Sequence, residues 1–343
     1  MELDGSYGEG GGALLRTALV MSALMQQPFS ITNVRGGMSH PGLDLEDHII
    51  LQAIAESCRA ETIGAEVGSQ SFKFRPTTQI APIKLTTPQR GKGRGANTLV
   101  VLSTLLPIIA KCGAYTELNV IGETYGTHTL TYDYFANLTL AVARKMGLYA
   151  WTEQLVAGFG RENYGEVFLE AEPSALTGLD LTNRGQLKGC YAQVTTSNLP
   201  PLIAQRAATH LRRLSGFANV PMQVMLKEVP GSSPGAVITT WCEFEGGLGG
   251  YAAVGTRGVR IETCTQGAFE ALASFIASGA TIDAHLADQL FFLSLIAEGE
   301  TAFTTPRITK RLTTMAWVAK QFRPFHITIN GTEEEPGTVT IHP

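Results

Sequence analysis

The amino-acid sequence predicts an α/β (α+β) fold made of three repeats of one supersecondary unit, with a smaller α/β domain inserted before the last repeat. Three observations lead there. Apolar stretches of helical length alternate with short stretches rich in β-branched residues at period two. The order helix, strand, helix, strand, strand returns three times. Each pass also closes on a proline, at Pro76, Pro173 and Pro343. With 343 residues, 44% hydrophobic and only 16% charged, the chain can bury a large core.

The first unit spans about residues 1–76. LDGS is the tail of a first strand, and GGALLRTALVMSALMQQ is an apolar helix entered through a glycine turn. FSITNVRG follows as a strand, then a helix from about Leu45 to Cys58, then the strands ETIGAEV and SFKFRP. The second unit, about 91–173, reads GANTLVVLSTLLPIIAKCG, TELNVIG, LTYDYFANLTLAVARKMG, AWTEQLVAGFG and GEVFLEAEP. The third, about 282–343, reads HLADQLFFLSLIAEG, TAFTT, PRITKRLTTMAWVAKQF, FHITI and GTVTIHP. The repeat domain is thus 1–176 with 281–343. Residues 177–280 do not follow the pattern, but carry enough strands (QLKGCYAQVTT, AVITTWCEFEG, GYAAVG) and helices (PLIAQRAATHLRRLSGF, GAFEALASFIASG) for an inserted α/β domain.

A net charge of -4 excludes a global basic field that would collect nucleic acid nonspecifically. Any polyanion must meet a local site. The five cysteines are widely spread, with no C-x-x-C pair, and read as reduced thiols. No apolar run reaches the roughly 18 residues of a membrane span, and the first residues carry no basic leader, so a cytoplasmic location is expected.

The stretch LDGSYGEGGGALLR packs glycines around one carboxylate, Glu9, ahead of a helix. Glycine amides at a helix amino terminus favour an anion, and an acid beside them suits a divalent metal bridging to phosphate. The same residues also serve as a tight strand-to-helix turn, and both readings stay open on the stretch alone. Arg16, in an otherwise apolar helix, and Arg35, in VRGG, need partners: acids such as Asp4 or Glu9, or a phosphate. Asp288 and Gln289 lie amid an apolar helix, where an unpartnered acid costs several kcal/mol. Lys92 and Arg94 form a basic glycine-rich loop, and Arg307, Lys310 and Arg311 place positive charge at the start of a helix, against its dipole.

The combination LDGSYGEGGGALLRTAL, NVRGG with HPGL and DHI, VGSQSFKFRP, TLVVLSTLLP and HLADQL resembles the RNA 3'-terminal phosphate cyclase family over nearly the whole chain. The resemblance implies three βαβαββ units, each similar to the carboxy-terminal domain of a translation initiation factor. It also implies ATP and Mg2+ or Mn2+ as cofactors, and an RNA 3' end or another terminal phosphate as partner. In the family a histidine is adenylylated, the nucleotide passes to the RNA 3'-phosphate, and the 2'-hydroxyl closes a 2',3'-cyclic phosphate.

Position by position, Glu9 matches the acid near metal and phosphates, Arg16 and Arg35 the phosphate-contacting arginines, and Asp288 with Gln289 the nucleotide-site pair. The departures cluster at the same place. Lys310 stands at the position of the nucleophilic histidine, Met38 replaces a second arginine, and His285 replaces a tyrosine. Ser103 falls near a nucleotide-contacting glutamine once a gap is allowed. Two readings follow: a cyclase-type enzyme with Lys310 as nucleophile, or a catalytically inactive relative that binds RNA in RNA processing or ribosome maturation. A third class, the enolpyruvyl transferases, uses six such units where three are present here.

Overall fold

The computed structural model describes residues 1–83, 85 and 95–343. The chain is a mixed α/β protein of several small sheets with helices packed between them. It begins with β1 (Glu2–Asp4), α1 (Gly12–Met25), β2 (Phe29–Thr32), α2 (Leu45–Ser57), β3 (Glu61–Ile63) and β4 (Phe72–Arg75). Their sheet has the order β1-β2-β4-β3, with β1 and β2 parallel across the α1 connection. α1 buries nearly its whole circumference, Ala13 to Ala23, which explains its weak amphipathic pattern.

Next come α3 (Thr98–Lys111), β5 (Thr116–Gly122), α4 (Tyr132–Tyr134) running through a π-helical turn (Phe135–Thr139) into α5 (Leu140–Lys145), β6 (Ala150–Val156) and β7 (Gly165–Ala171). Here the order is β5-β7-β6. Asn97 caps α3, its Oδ1 accepting the amides of Leu99 and Val100 at 3.0 Å each.

Asp180 and Leu181, inside the segment expected to belong to the insert, form β8 (Asp180–Leu181). The chain then enters β9 (Leu187–Ser197), α6 (Pro201–Phe217), β10 (Met222–Glu228), β11 (Gly235–Phe244), β12 (Gly247–Val254) and α7 (Ile261–Ser278). This sheet has the order β10-β9-β11-β12. Alternation along its strands sorts the two faces. Ala192, Val194, Ala236 and Ile238 pack under α6 and α7, while Val237 and Trp241 turn to the main core.

The last elements are α8 (Ala284–Ser294), β13 (Thr301–Thr305), α9 (Lys310–Phe322), β14 (His326–Asn330) and β15 (Gly337–His342). β8 pairs in parallel with β13, giving the order β14-β15-β13-β8, the same connectivity as the first sheet read from its opposite edge. One continuous core runs through α1, α2, α3, α5, α8 and α9.

The cysteines differ from expectation. Cys190 and Cys242 form a disulfide, while Cys58, Cys112 and Cys264 are free. The two partners are 52 residues apart but directly opposite in the antiparallel β9–β11 pair, a juxtaposition that spacing along the chain does not reveal. No helix of the described residues is long and apolar enough to cross a membrane.

Candidate functional site

The glycine turn at residues 8–12 is pinned between the amino termini of α1 and α9. Gly8 has φ +61°, and a Cβ there would collide with the Thr314 hydroxyl. That hydroxyl accepts the Glu9 amide at 2.9 Å and donates to the Lys310 carbonyl at 2.6 Å. Residues more than 300 apart in sequence are thereby held side by side. One oxygen of Glu9 accepts the Ala13 amide at 2.9 Å, satisfying a free donor of the first turn of α1. The other faces Arg311 Nε at 3.4 Å. Gly11 separates Glu9 from the Met38 methyl, and a side chain on it would meet both.

Arg16 and Arg35 are brought to this turn, but their partners are neither Asp4 nor Glu9. Arg16 donates to Asp47 at 2.7 Å and to Glu46 at 2.6 Å; Arg35 donates to Asp47 at 3.1 Å and to Asp44. All three acids sit at the amino terminus of α2, where Asp44 is the cap and accepts the Asp47 amide at 2.8 Å. Burial opposes charge on Arg16, yet Asp47 and Glu46 outweigh it and raise its pKa. Arg35 occupies the left-handed region at φ +53°, a cost on the order of 1–2 kcal/mol for a non-glycine residue. Its Nε is buried with no partner among the described residues.

The other wall is α8. Asp283 caps it, accepting the amides of His285 and Leu286 at 2.8 and 3.0 Å. Asp283 also accepts the Tyr134 hydroxyl at 2.8 Å and the Gly250 amide at 2.9 Å. It therefore ties α4 and β12 to the start of α8. Asp288 accepts the hydroxyl of Thr309 at 2.6 Å, the residue that caps α9 just before Lys310. Gln289 meets Ser103 of α3 through a short hydrogen bond.

Burial pushes the Asp288 carboxyl up to about 7, against the pull of Arg311 and of the Thr309 hydroxyl, with Glu9 and Asp283 adding to the rise. His285 is lowered, first by desolvation and then by Arg307 and Arg311, against Asp283. Water still reaches this residue, which is exposed at the start of α8.

One prediction follows from Asp288. A carboxyl protonated in the fold up to about 7, but only to about 3.8 when unfolded, gives the native state the extra proton between those values. Stability therefore falls as pH rises from about 4 to 7. Asp288→Asn removes that slope while keeping an acceptor for Thr309. Thermal unfolding should show a higher Tm than wild type at pH 8, at about 2–4 °C per kcal/mol, and little difference at or below pH 4.

The structure thus gathers Glu9, Arg16, Arg35, Ser103, His285, Asp288, Gln289 and Lys310 around the junction of α1, α3, α8 and α9. Lys310 opens α9 with its side chain exposed, and its Nζ has no partner among the described residues. Arg307 precedes the helix instead of lying on its first turn, and pairs with Glu334 at 3.2 Å. Lys92 and Arg94 lie outside the described residues. The sequence reading missed the acids of α2 as arginine partners, and Asp283, Thr309 and Thr314 as the groups that set the site. Two of these three were legible as Asp or Thr capping an apolar helix.

The sequence profile of "RNA 3'-terminal phosphate cyclase" matches residues 7–329. Proteins of that name from Nitrosospira multiformis (35% identity, 94% of this chain and 91% of the relative), Methanopyrus kandleri (33%, 100% and 99%) and Methylococcus capsulatus (30%, 100% and 96%) are similar to it. Among solved structures, the enolpyruvyl transferase NikO from Streptomyces tendae aligns with a TM-score of 0.38 and 12% identity, over 100% of this chain and 48% of that one. A score that low supports no conclusion about fold. The profile and the relatives together show that this chain belongs to the RNA 3'-terminal phosphate cyclase family.

Proposed function

We propose that the chain transfers a nucleotidyl group from ATP to an RNA 3'-terminal phosphate, yielding a 2',3'-cyclic phosphate and AMP, with Lys310 in the role of the nucleophile. The observation that carries this reading is the position of Lys310. Its side chain has no partner among the described residues and sits at the amino terminus of α9. Its own helical turn is hydrogen-bonded to the Glu9 backbone through Thr314, and the preceding residue is bonded to Asp288. Groups needed only for folding would not require an unpaired cation at the positive end of a helix dipole.

In this reading the Lys310 amine attacks the α-phosphorus of ATP. An N–P bond forms, the bond to pyrophosphate breaks, and the amine proton leaves to water. The RNA 3'-phosphate oxygen then displaces Lys310 from AMP, and the 2'-hydroxyl attacks the 3'-phosphorus and expels AMP. Arg311 and Arg307 stand beside Lys310, where their guanidiniums could contact the phosphates of ATP. Asp288, Gln289, Ser103 and His285 line the nucleotide's place.

Glu9 provides a single carboxylate, and no cluster of three or more metal-ligating side chains occurs among the described residues. That donor set suits Mg2+ or Mn2+ arriving with phosphate oxygens as its other ligands. The Arg35 Nε, without a partner among the described residues, is a donor that an incoming phosphate would satisfy. When bound, the metal would neutralise phosphate charge. We also read the first and last sheets, with their shared strand order, as βαβαββ units like a translation initiation factor carboxy-terminal domain, with β5-β7-β6 as a unit lacking its first strand.

The test is incubation with α-labelled ATP and Mg2+ or Mn2+. Acid-labile, hydroxylamine-resistant label on the polypeptide supports the covalent step; bound ATP without label overturns it. A second reading, an inactive RNA-binding relative, is favoured by the pairing of Arg16 and Arg35 with Glu46, Asp44 and Asp47. Those guanidiniums are already neutralised before any phosphate arrives.

A further inference from the structure

Among the described residues, three aromatic pairs stack closely. Tyr125 with Phe159, and Tyr191 with Trp241, lie within the core. The third is different. Tyr7 stacks on Trp317 with ring centroids 4.0 Å apart and planes 26° apart, and Tyr7 is 45% exposed. One ring of the pair is thus anchored on α9 and the other is open to solvent.

The open ring is held in place by its backbone. The Tyr7 amide donates to Asp4 at 3.1 Å, its carbonyl accepts the Gly10 amide at 2.9 Å, and the next residue, Gly8, abuts Thr314. The turn that presents Glu9 to α9 therefore also presents Tyr7. Trp317 and Lys310 are seven residues apart on α9, which puts them on one face, about 10 Å apart along the axis. At the Lys310 end, Arg311 and Arg307 are paired with Glu9 and Glu334, and Lys310, with no partner among the described residues, carries the unpaired positive charge. An open aromatic face at that distance from a cationic helix terminus fits a ligand that carries a flat ring and a phosphate together.

We propose that the Tyr7–Trp317 stack is a nucleobase platform for the RNA 3' end. A base from the last two nucleotides extends the stack on the open face of Tyr7, and the terminal phosphate lies toward Lys310. The platform rests on the RNA reading above and adds to it a subsite for the base. Stacking on a π-face accepts any base, so the platform supplies affinity without sequence preference.

Fluorescence anisotropy tests this with a 3'-phosphorylated oligoribonucleotide, the same oligonucleotide abasic at its last two positions, and ATP. Tyr7→Ala should weaken the intact oligonucleotide about 5- to 100-fold, the range for one lost base–aromatic stack. Tyr7→Phe should restore it. The abasic oligonucleotide should bind wild type and Tyr7→Ala alike, and ATP affinity should not change. Tyr7→Leu keeps an apolar cover over Trp317 without a ring, so a folding defect in Tyr7→Ala does not shield the proposal.

Equal binding of the intact oligonucleotide by wild type, Tyr7→Ala and Tyr7→Leu would overturn the platform and leave the RNA reading standing. A loss confined to ATP would reassign the stack to the nucleotide and overturn it equally. Failure of wild type to bind either oligonucleotide would sink the RNA reading and the platform with it.

Discussion

Asp283→Ala should destabilise the protein by about 3–5 kcal/mol, the largest effect expected of any single substitution in the site. Asp283 is buried and accepts from the Tyr134 hydroxyl, the Gly250 amide and two amides at the start of α8. Truncation removes a helix cap, worth about 1 kcal/mol. It also leaves a buried hydroxyl and a buried amide unpaired, at about 1–3 kcal/mol each. Thermal unfolding should show a fall in Tm of roughly 10 °C. Tyr134→Phe, which removes one donor and leaves the cap intact, should cost about 1 kcal/mol. Equal losses in the two variants would show that Asp283 is not the joint between α4, β12 and α8.

Lys310→Ala should abolish covalent labelling by ATP, a loss of at least about a thousandfold in the rate of label incorporation. The substitution lies on an exposed first helical position and removes no side-chain partner among the described residues, so stability should stay within about 0.5 kcal/mol of wild type. Lys310→His restores the side chain that the family resemblance places there and should restore labelling. Label that persists in Lys310→Ala would move the nucleophile elsewhere.

Much of the architecture was legible because periodicity and punctuation were strong. TELNVIG, PLIAQRAATHLRRLSGF and TAFTT coincide with β5, α6 and β13. What escaped was short or fully exposed. β8 has two residues, too few for any alternation, yet it joins the last sheet before the chain departs into the inserted one. β10 is an edge strand with most side chains exposed, so MQVMLKE carries no buried face to signal it.

At the site, the residue types were readable but their partners were not. Arg16 and Arg35 had announced a need for partners, an acid or a phosphate, and Glu46 and Asp47 lie some 30 residues from Arg16, reached only when α1 and α2 pack together. The same limit applies to Cys190 and Cys242, to Ser103 and Gln289, and to Thr314 and Glu9. Each pair is made by tertiary packing between separate elements. Helix caps were the exception, since Asp283 and Thr309 precede apolar helices in the sequence itself.

The measurement that bears most directly on the central claim is the fate of an RNA ending in a 3'-phosphate, incubated with the full chain, ATP and Mg2+ or Mn2+. The end should become resistant to phosphatase as a 2',3'-cyclic phosphate, with one AMP released per end. An end that stays phosphatase-sensitive while RNA and ATP both bind would contradict that claim.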